Sequence, residues 1–125
     1  MGERGDIAQF DKSVEIPSTP IDSDGPMDIY EIRNEMGEPI GTFCLTLEGD
    51  EANIESVNIK EQFRGQGYGK MAYKKMIELL GPQNIKLVSD GNFLTEPPAK
   101  IWEGLVEEGK ATKKRFWQNG KYESK

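Results

Sequence analysis

The stretch Ile59-Lys60-Glu61-Gln62-Phe63-Arg64-Gly65-Gln66-Gly67-Tyr68-Gly69-Lys70 sets three alternating glycines between an alternating apolar strand and an amphipathic helix. Glycine lets successive backbone N–H groups turn towards one point with no Cβ in the way. The helix that follows adds its unpaired first-turn N–H groups and the positive end of its dipole. The segment is therefore expected to cradle an anion.

Spacing narrows which anion. A nucleotide P-loop needs four residues between its glycines and a Ser or Thr after the lysine. Here three residues separate Gly65 from Gly69, and Lys70 is followed by Met71, which cannot ligate magnesium. A dinucleotide fingerprint needs G-x-G-x-x-G and an acidic residue about 20 positions later. Asp90 meets the second condition, but the glycine run is G-x-G-x-G. Arg64-x-x-Gly67-x-Gly69 after Val57-x-Ile59 resembles the acyl-CoA motif of the GNAT family of N-acetyltransferases, in which loop and helix start wrap the CoA pyrophosphate.

Composition bounds the alternatives. One domain fits 125 residues and 14.1 kDa. No apolar run reaches the roughly 18 residues of a membrane span, and residues 1 to 6 lack an export signal, so a soluble cytoplasmic protein is expected. The single cysteine, Cys44, excludes an internal disulfide and reads as a strand residue between Thr42 and Thr46. With one Cys and no His, metal clusters of Cys and His and His-based triads are excluded, and acid–base work falls to Glu, Asp, Tyr, Ser, Lys or water. Residues 1 to 56 carry 14 Asp and Glu against 3 Lys and Arg, whereas residues 57 to 125 carry 8 against 13. That division suits a polyanion on the second half and a cationic acceptor near the first, although acids gathered for solubility explain the first half equally well. Lys113, Lys114 and Arg115 beside Phe116 and Trp117 could stack nucleic acid, but a chain with pI near 4.8 argues against that partner.

Along the chain, residues 1 to 25 show no sustained period and read as a flexible acidic, proline-containing leader, with Val14-Glu15-Ile16 as a short edge strand. Residues 26 to 125 read as one domain. Met27 to Arg33, Ile40 to Leu47 and Asn53 to Ile59 alternate as an antiparallel meander, and a helix runs from about Tyr68 to Leu80, stopped by Gly81-Pro82. Ile85 to Val88 is a buried strand, Pro97-Pro98 opens a second helix ended by Gly109, and Asn119-Gly120 is the turn of a closing hairpin. The order β-β-β-α-β-α-β-β is an α+β fold with a mixed sheet, an antiparallel meander leading into a βαβ crossover. It matches the GNAT arrangement over about residues 27 to 123. The helix pair that this family usually places between its first two strands is missing, which leaves the acceptor side open or covered by the leader.

The resemblance implies an N-acetyltransferase that binds acetyl-CoA, uses no metal and joins the acetyl group to a primary amine of a protein lysine, an N-terminus or a polyamine. By the same resemblance, Val57, Asn58 and Ile59 would pair with the pantetheine arm, and the amides of Arg64, Gly65, Gln66, Gly67, Tyr68, Gly69 and Lys70 would hold the pyrophosphate. Lys74 is a further phosphate candidate, and Asn92 lies in the family's cofactor-binding context. Glu55 is the candidate base, with Glu51 on the same face by two-residue alternation; each also reads as an ordinary exposed strand glutamate. Where the family carries a tyrosine acid on its last helix, this chain has Trp102, whose indole N–H cannot serve as a general acid. Ser89 or Tyr122 could replace it, or the thiolate could leave without a protein acid. A catalytically inactive module that binds CoA or a basic protein partner is the alternative.

Overall fold

The computed structural model describes residues 11–90, 98–116 and 119–125. Its strands are β1 (Val14–Glu15), β2 (Asp22–Asp24), β3 (Met27–Asn34), β4 (Pro39–Glu48), β5 (Glu51–Ile59), β6 (Lys86–Asp90), β7 (Ala111–Phe116) and β8 (Asn119–Ser124). Helix α1 spans Tyr68–Leu80 and α2 spans Pro98–Glu107. The strands form one mixed sheet in the order β1-β3-β4-β5-β6-β8-β7, with β2 also paired to β3. The expected meander, crossover and closing hairpin are all present, in the expected order.

Alternation makes the sheet two-faced. Ile32, Phe43, Leu45, Ala52 and Leu87 lie fully buried on the face that receives α1 and α2. Ala72, Tyr73, Met76 and Leu80 recur at helical spacing and turn α1 onto it. Phe43, Tyr73, Trp102 and Tyr122 continue the packing from the centre of the sheet to β8. Their ring centroids are 5.4 Å, 5.6 Å and 5.4 Å apart, the first two contacts edge-on and the last stacked. The opposite face carries Glu31, Thr42, Thr46, Asn53 and Ser56, and no helix covers it among the described residues.

Helix α1 ends at Leu80, as expected, and a 3-10 turn over Gly81–Gln83 follows it, closed by Asn84 in the left-handed region at φ 59°. One expectation shifts. The hairpin turn is not at Asn119-Gly120: Phe116 pairs with Asn119 and Arg115 with Gly120, so both turn-prone residues lie within β8. That register puts Tyr122 opposite Ser89 and under Trp102. Burial of the aromatic ring outweighs the local turn preference of Asn-Gly.

Residues 11–25, read from sequence as part of a leader, carry β1 and β2. Val14 pairs with Asn34 and is 3 % exposed, and Ile16 joins the same core. The short edge strand expected at Val14-Glu15-Ile16 is present as β1, whereas β2, of three residues, is too short for periodicity to reveal.

Candidate functional site

The glycine loop connects β5 to α1. Gly65 and Gly67 adopt φ of 75° and 88°, and a Cβ at either would meet nothing within 4 Å, so the loop's inner surface is open. Gly67 is the N-cap of α1 and offers no side-chain acceptor to the first turn. A Ser, Thr or Asp there would bond those N–H groups; with glycine they stay available to an anion. Arg64 Nε donates to the Ile59 carbonyl at 2.7 Å, tying the loop to the end of β5.

A cavity of about 340 Å3 opens beside this loop. Of the residues expected to bind the cofactor, Val57, Asn58 and Ile59 line it from the strand, and Arg64, Gly65, Gly67, Tyr68 and Gly69 from the loop and helix start. Gln66 and Lys70 are not on its wall, and Asn92 lies outside the described residues. Phe63, Tyr73 and Ile101 complete the lining without having been anticipated. Ile101 arrives from α2 and would stand 3.4 Å from a Cβ at Gly69, an approach no local pattern encodes.

The wall on the β5 side is shaped by two strand features. β5 and β6 pair in parallel only through Glu51↔Lys86, Ala52↔Leu87 and Asn53↔Val88. Beyond them the β5 edge from Ile54 to Ile59 has no strand partner on that side among the described residues. At the same level the β4–β5 register shifts between Cys44 and Leu45, whose partners are Ser56 and Ile54, leaving Glu55 as the extra residue of a bulge. Gly41 holds the other edge close: a Cβ there would lie 2.1 Å from the Asn58 carbonyl oxygen.

The bulge separates two cavities. Val57 to Ile59 face the first, while Glu55 lines a second of about 300 Å3 together with Thr46, Glu48, Asn53, Ile54, Val88 and Ser89. The structure thus brings the expected base, Glu55, and one expected acid, Ser89, to one cavity. Tyr122 lines neither; it is 4 % exposed, stacked on Trp102, with Lys113 Nζ 5.3 Å from its ring centre. Glu51 pairs with Lys121 at 3.1 Å. Trp102 is fully buried, and its Nε1 has no hydrogen-bond partner among the described residues.

Charges around the loop are arranged in two groups. The Tyr68 hydroxyl lies 3.0 Å from both carboxylate oxygens of Glu35, which also accepts from the Ser13 N–H. Hydrogen bonds from its own N–H, from Ser13 and from Tyr68, with the Lys12 charge, hold the Glu35 carboxyl below its ordinary range despite partial desolvation. The Tyr68 phenol is raised, by desolvation first and by Glu35 second. Lys12 Nζ sits 5.5 Å from the Tyr68 ring centre and donates to the Gln66 side chain at 3.3 Å, a contact invisible in the sequence. On the other side of α1, Lys70 and Lys74, the second at 2.8 Å, both bind Glu108 beyond α2. Lys70 first and Lys74 second bring the Glu108 carboxyl down to about 2. Both lysines read as phosphate contacts are therefore engaged with this carboxylate.

Solved structures share this fold at low identity. A Klebsiella pneumoniae protein assigned as an acyl-CoA N-acyltransferase matches with a TM-score of 0.53 and 13 % identity over 90 % of this chain and 96 % of its own. The PaiA N-acetyltransferase of Thermoplasma acidophilum, in complex with coenzyme A, matches with a TM-score of 0.54 and 10 % identity over 80 % of this chain and 61 % of its own. A chimera of the spermidine N-acetyltransferase SpeG from Vibrio cholerae with hSSAT matches with a TM-score of 0.54 and 16 % identity, over 80 % of this chain and 66 % of its own. The chain thus spans somewhat under two thirds of the last two. No protein of curated function matches the sequence. The sequence pattern of the acetyltransferase (GNAT) family matches residues 7–92, well over half of the chain. With the glycine cradle, the parted strands and the mixed sheet in place, the chain belongs to the GNAT acetyltransferase family.

Proposed function

We propose that this protein is an acetyl-CoA-dependent N-acetyltransferase that transfers the acetyl group to a primary amine by direct attack on the thioester. The observation that carries the reading is the joining of two sites on one strand: β5 presents Val57 to Ile59 to the anion-cradle cavity and, across its bulge, Glu55 to the second cavity. The amides of residues 65 to 70 would hold the pyrophosphate, and the free edge of β5 would pair with the pantetheine amides. The open space over Gly65 and Gly67 fits such a ligand. Acetyl-CoA would supply the activated acyl group; the chain orients it and manages protons.

Glu55, held by the Thr46 hydroxyl at 2.7 Å, would take the proton lost by the attacking nitrogen as the N–C bond forms. When the C–S bond breaks, the departing sulfur would gain its proton from Ser89 or water. A thiol is a tolerable leaving group without a strong acid, since its ordinary pKa is about 8.5. The single, buried Cys44 and the absence of a long apolar helix among the described residues support a cytoplasmic setting. Trp102 in place of the tyrosine acid favours the rival reading of a module that binds CoA without turnover.

Following free thiol release from acetyl-CoA with a panel of amines separates the two. Release with wild type, lowered roughly a hundredfold in kcat by Glu55→Gln with little change in the KM for acetyl-CoA, is the expected result. CoA binding with no thiol release from any amine would establish the module instead.

A further inference from the structure

Tyr73 is a buried phenol on the wall of the first cavity, and the proton transfers proposed above leave it unused. A role for it rests on the N-acetyltransferase reading and deepens that reading. The side chain projects from the inner face of α1, is 2 % exposed, and lines the cavity together with Val57 to Ile59 and Ile101. Phe43 and Trp102 hold its ring by edge-on contacts, with centroids 5.4 Å and 5.6 Å away.

Those contacts fix the ring but leave the hydroxyl free. No hydrogen bond engages the Tyr73 oxygen among the described residues, and burial is the one cause that moves its pKa. Among the described residues, Trp102 Nε1 is the one side-chain polar atom that is both sealed from solvent and unpartnered, so the Tyr73 oxygen still borders open space. The open space that Tyr73 lines is the cavity beside the glycine loop. A donor held there meets its hydrogen-bonding need through a ligand or water.

Its level along the cavity identifies the ligand atom. The glycine loop, Gly65 to Gly69, forms one end. Phe43, which packs on Tyr73, is the β4 partner of Val57, the β5 lining residue nearest the Glu55 bulge. A cofactor arm that leaves the loop and follows β5 past Ile59 and Asn58 therefore brings its thioester to the level of Val57 and Tyr73, next to the base. Burial pushes the Tyr73 phenol up to about 12, whereas the ordinary pKa of a thiol is about 8.5. A departing thiolate is too weak a base to take that proton, so the phenol can act there only as a hydrogen-bond donor.

We infer that the Tyr73 hydroxyl donates a hydrogen bond to the cofactor sulfur and stabilises the electron pair that the sulfur receives as the C–S bond breaks. The phenol keeps its proton, the sulfur departs as a thiolate, and its proton arrives afterwards from Ser89 or water. Trp102, standing where the resemblance places a tyrosine acid, serves as the wall against which Tyr73 is set.

Tyr73→Phe removes the oxygen and keeps the ring between Phe43 and Trp102. Titrating the thiolate absorbance of CoA bound to each protein, with the desulfo-CoA complex as blank, reads the hydrogen bond without any amine. The bound thiol is expected to titrate about one unit higher in Tyr73→Phe than in wild type, equivalent to a tenfold loss of thiolate stabilisation. Calorimetric affinity for desulfo-CoA is expected to stay within about twofold, with melting temperatures alike. With an amine that supports thiol release, kcat should fall roughly tenfold while the KM for acetyl-CoA holds. Equal thiol pKa values in the two proteins, or a loss of desulfo-CoA affinity as large as the loss for CoA, would put the hydroxyl away from the sulfur and overturn the inference while leaving the acetyl-CoA reading intact. Wild-type protein that binds no CoA would remove both. A shifted thiol pKa with no thiol release from any amine would sink the transferase reading and leave the bond to sulfur standing.

Discussion

At the scale of single residues, the glycines of the loop do different jobs, and substitution separates them. Gly67, at φ 88°, is in a conformation that a β-branched side chain resists, so Gly67→Val combines backbone strain of about 1–3 kcal/mol with obstruction of the cradle. Gly69 is helical, lines the cavity and would meet only the end of Ile101. Gly69→Val is therefore expected to weaken CoA binding by tenfold or more while leaving the melting temperature within a few degrees of wild type. Calorimetry paired with thermal melts measures both, and unchanged affinity would remove the phosphate-cradle argument. Glu35 and Tyr68 show the complementary case of a side chain that shapes the loop from outside. The phenol bonded to the carboxylate keeps Tyr68, 4 % exposed, at the first position of α1, where its N–H joins the cradle.

Between elements, α1 and α2 meet through the edge contact of Tyr73 with Trp102 and the Lys70–Glu108–Lys74 bridge. Gly104 leaves room beside the bridge, since a Cβ there would stand 3.1 Å from Lys70 Nζ, the mobile end of a long side chain. Because the Glu108 carboxyl is depressed in the folded protein, to about 2, its stabilisation is present above the ordinary carboxyl range near 4.5 and disappears as pH falls towards 2. The effect is small, since all three side chains are partly exposed and salt screens them. Melting curves of wild type and Glu108→Gln should thus differ at neutral pH and converge between pH 4.5 and 2. A difference that persists at pH 2 would place the effect of Glu108 somewhere other than in the bridge.

For the molecule as a whole, helices cover one face of the sheet, no helix covers the other among the described residues, and the segment before β3 contributes to the covered side. Ile16 is 7 % exposed in the main core, so Ile16→Ala is expected to cost about 2–4 kcal/mol, measured by denaturant unfolding. A cost near zero would show that residues 11–25 do not stabilise the domain. Much of the architecture was legible in the order of residues. The alternation of Met27 to Ile59, the helical recurrence of Ala72, Met76 and Leu80, and Arg64-x-x-Gly67-x-Gly69 between them are local patterns, fixed by the periods of strand and helix. They determined the meander, the crossover and the position of the anion loop. Only the tertiary structure decided what faces that loop and its strand: Ile101 across from Gly69, Lys12 beside Gln66, Glu108 taking both lysines, and Glu48 joined to Glu55 and Ser89 around one cavity. The hairpin turn was likewise set by the burial of Tyr122 beneath Trp102 and not by Asn119-Gly120. Local sequence specifies backbone periods, whereas contacts between distant segments follow from how buried faces pack and where pairing stops. In this chain it stops at Asn53↔Val88, where the two cavities begin.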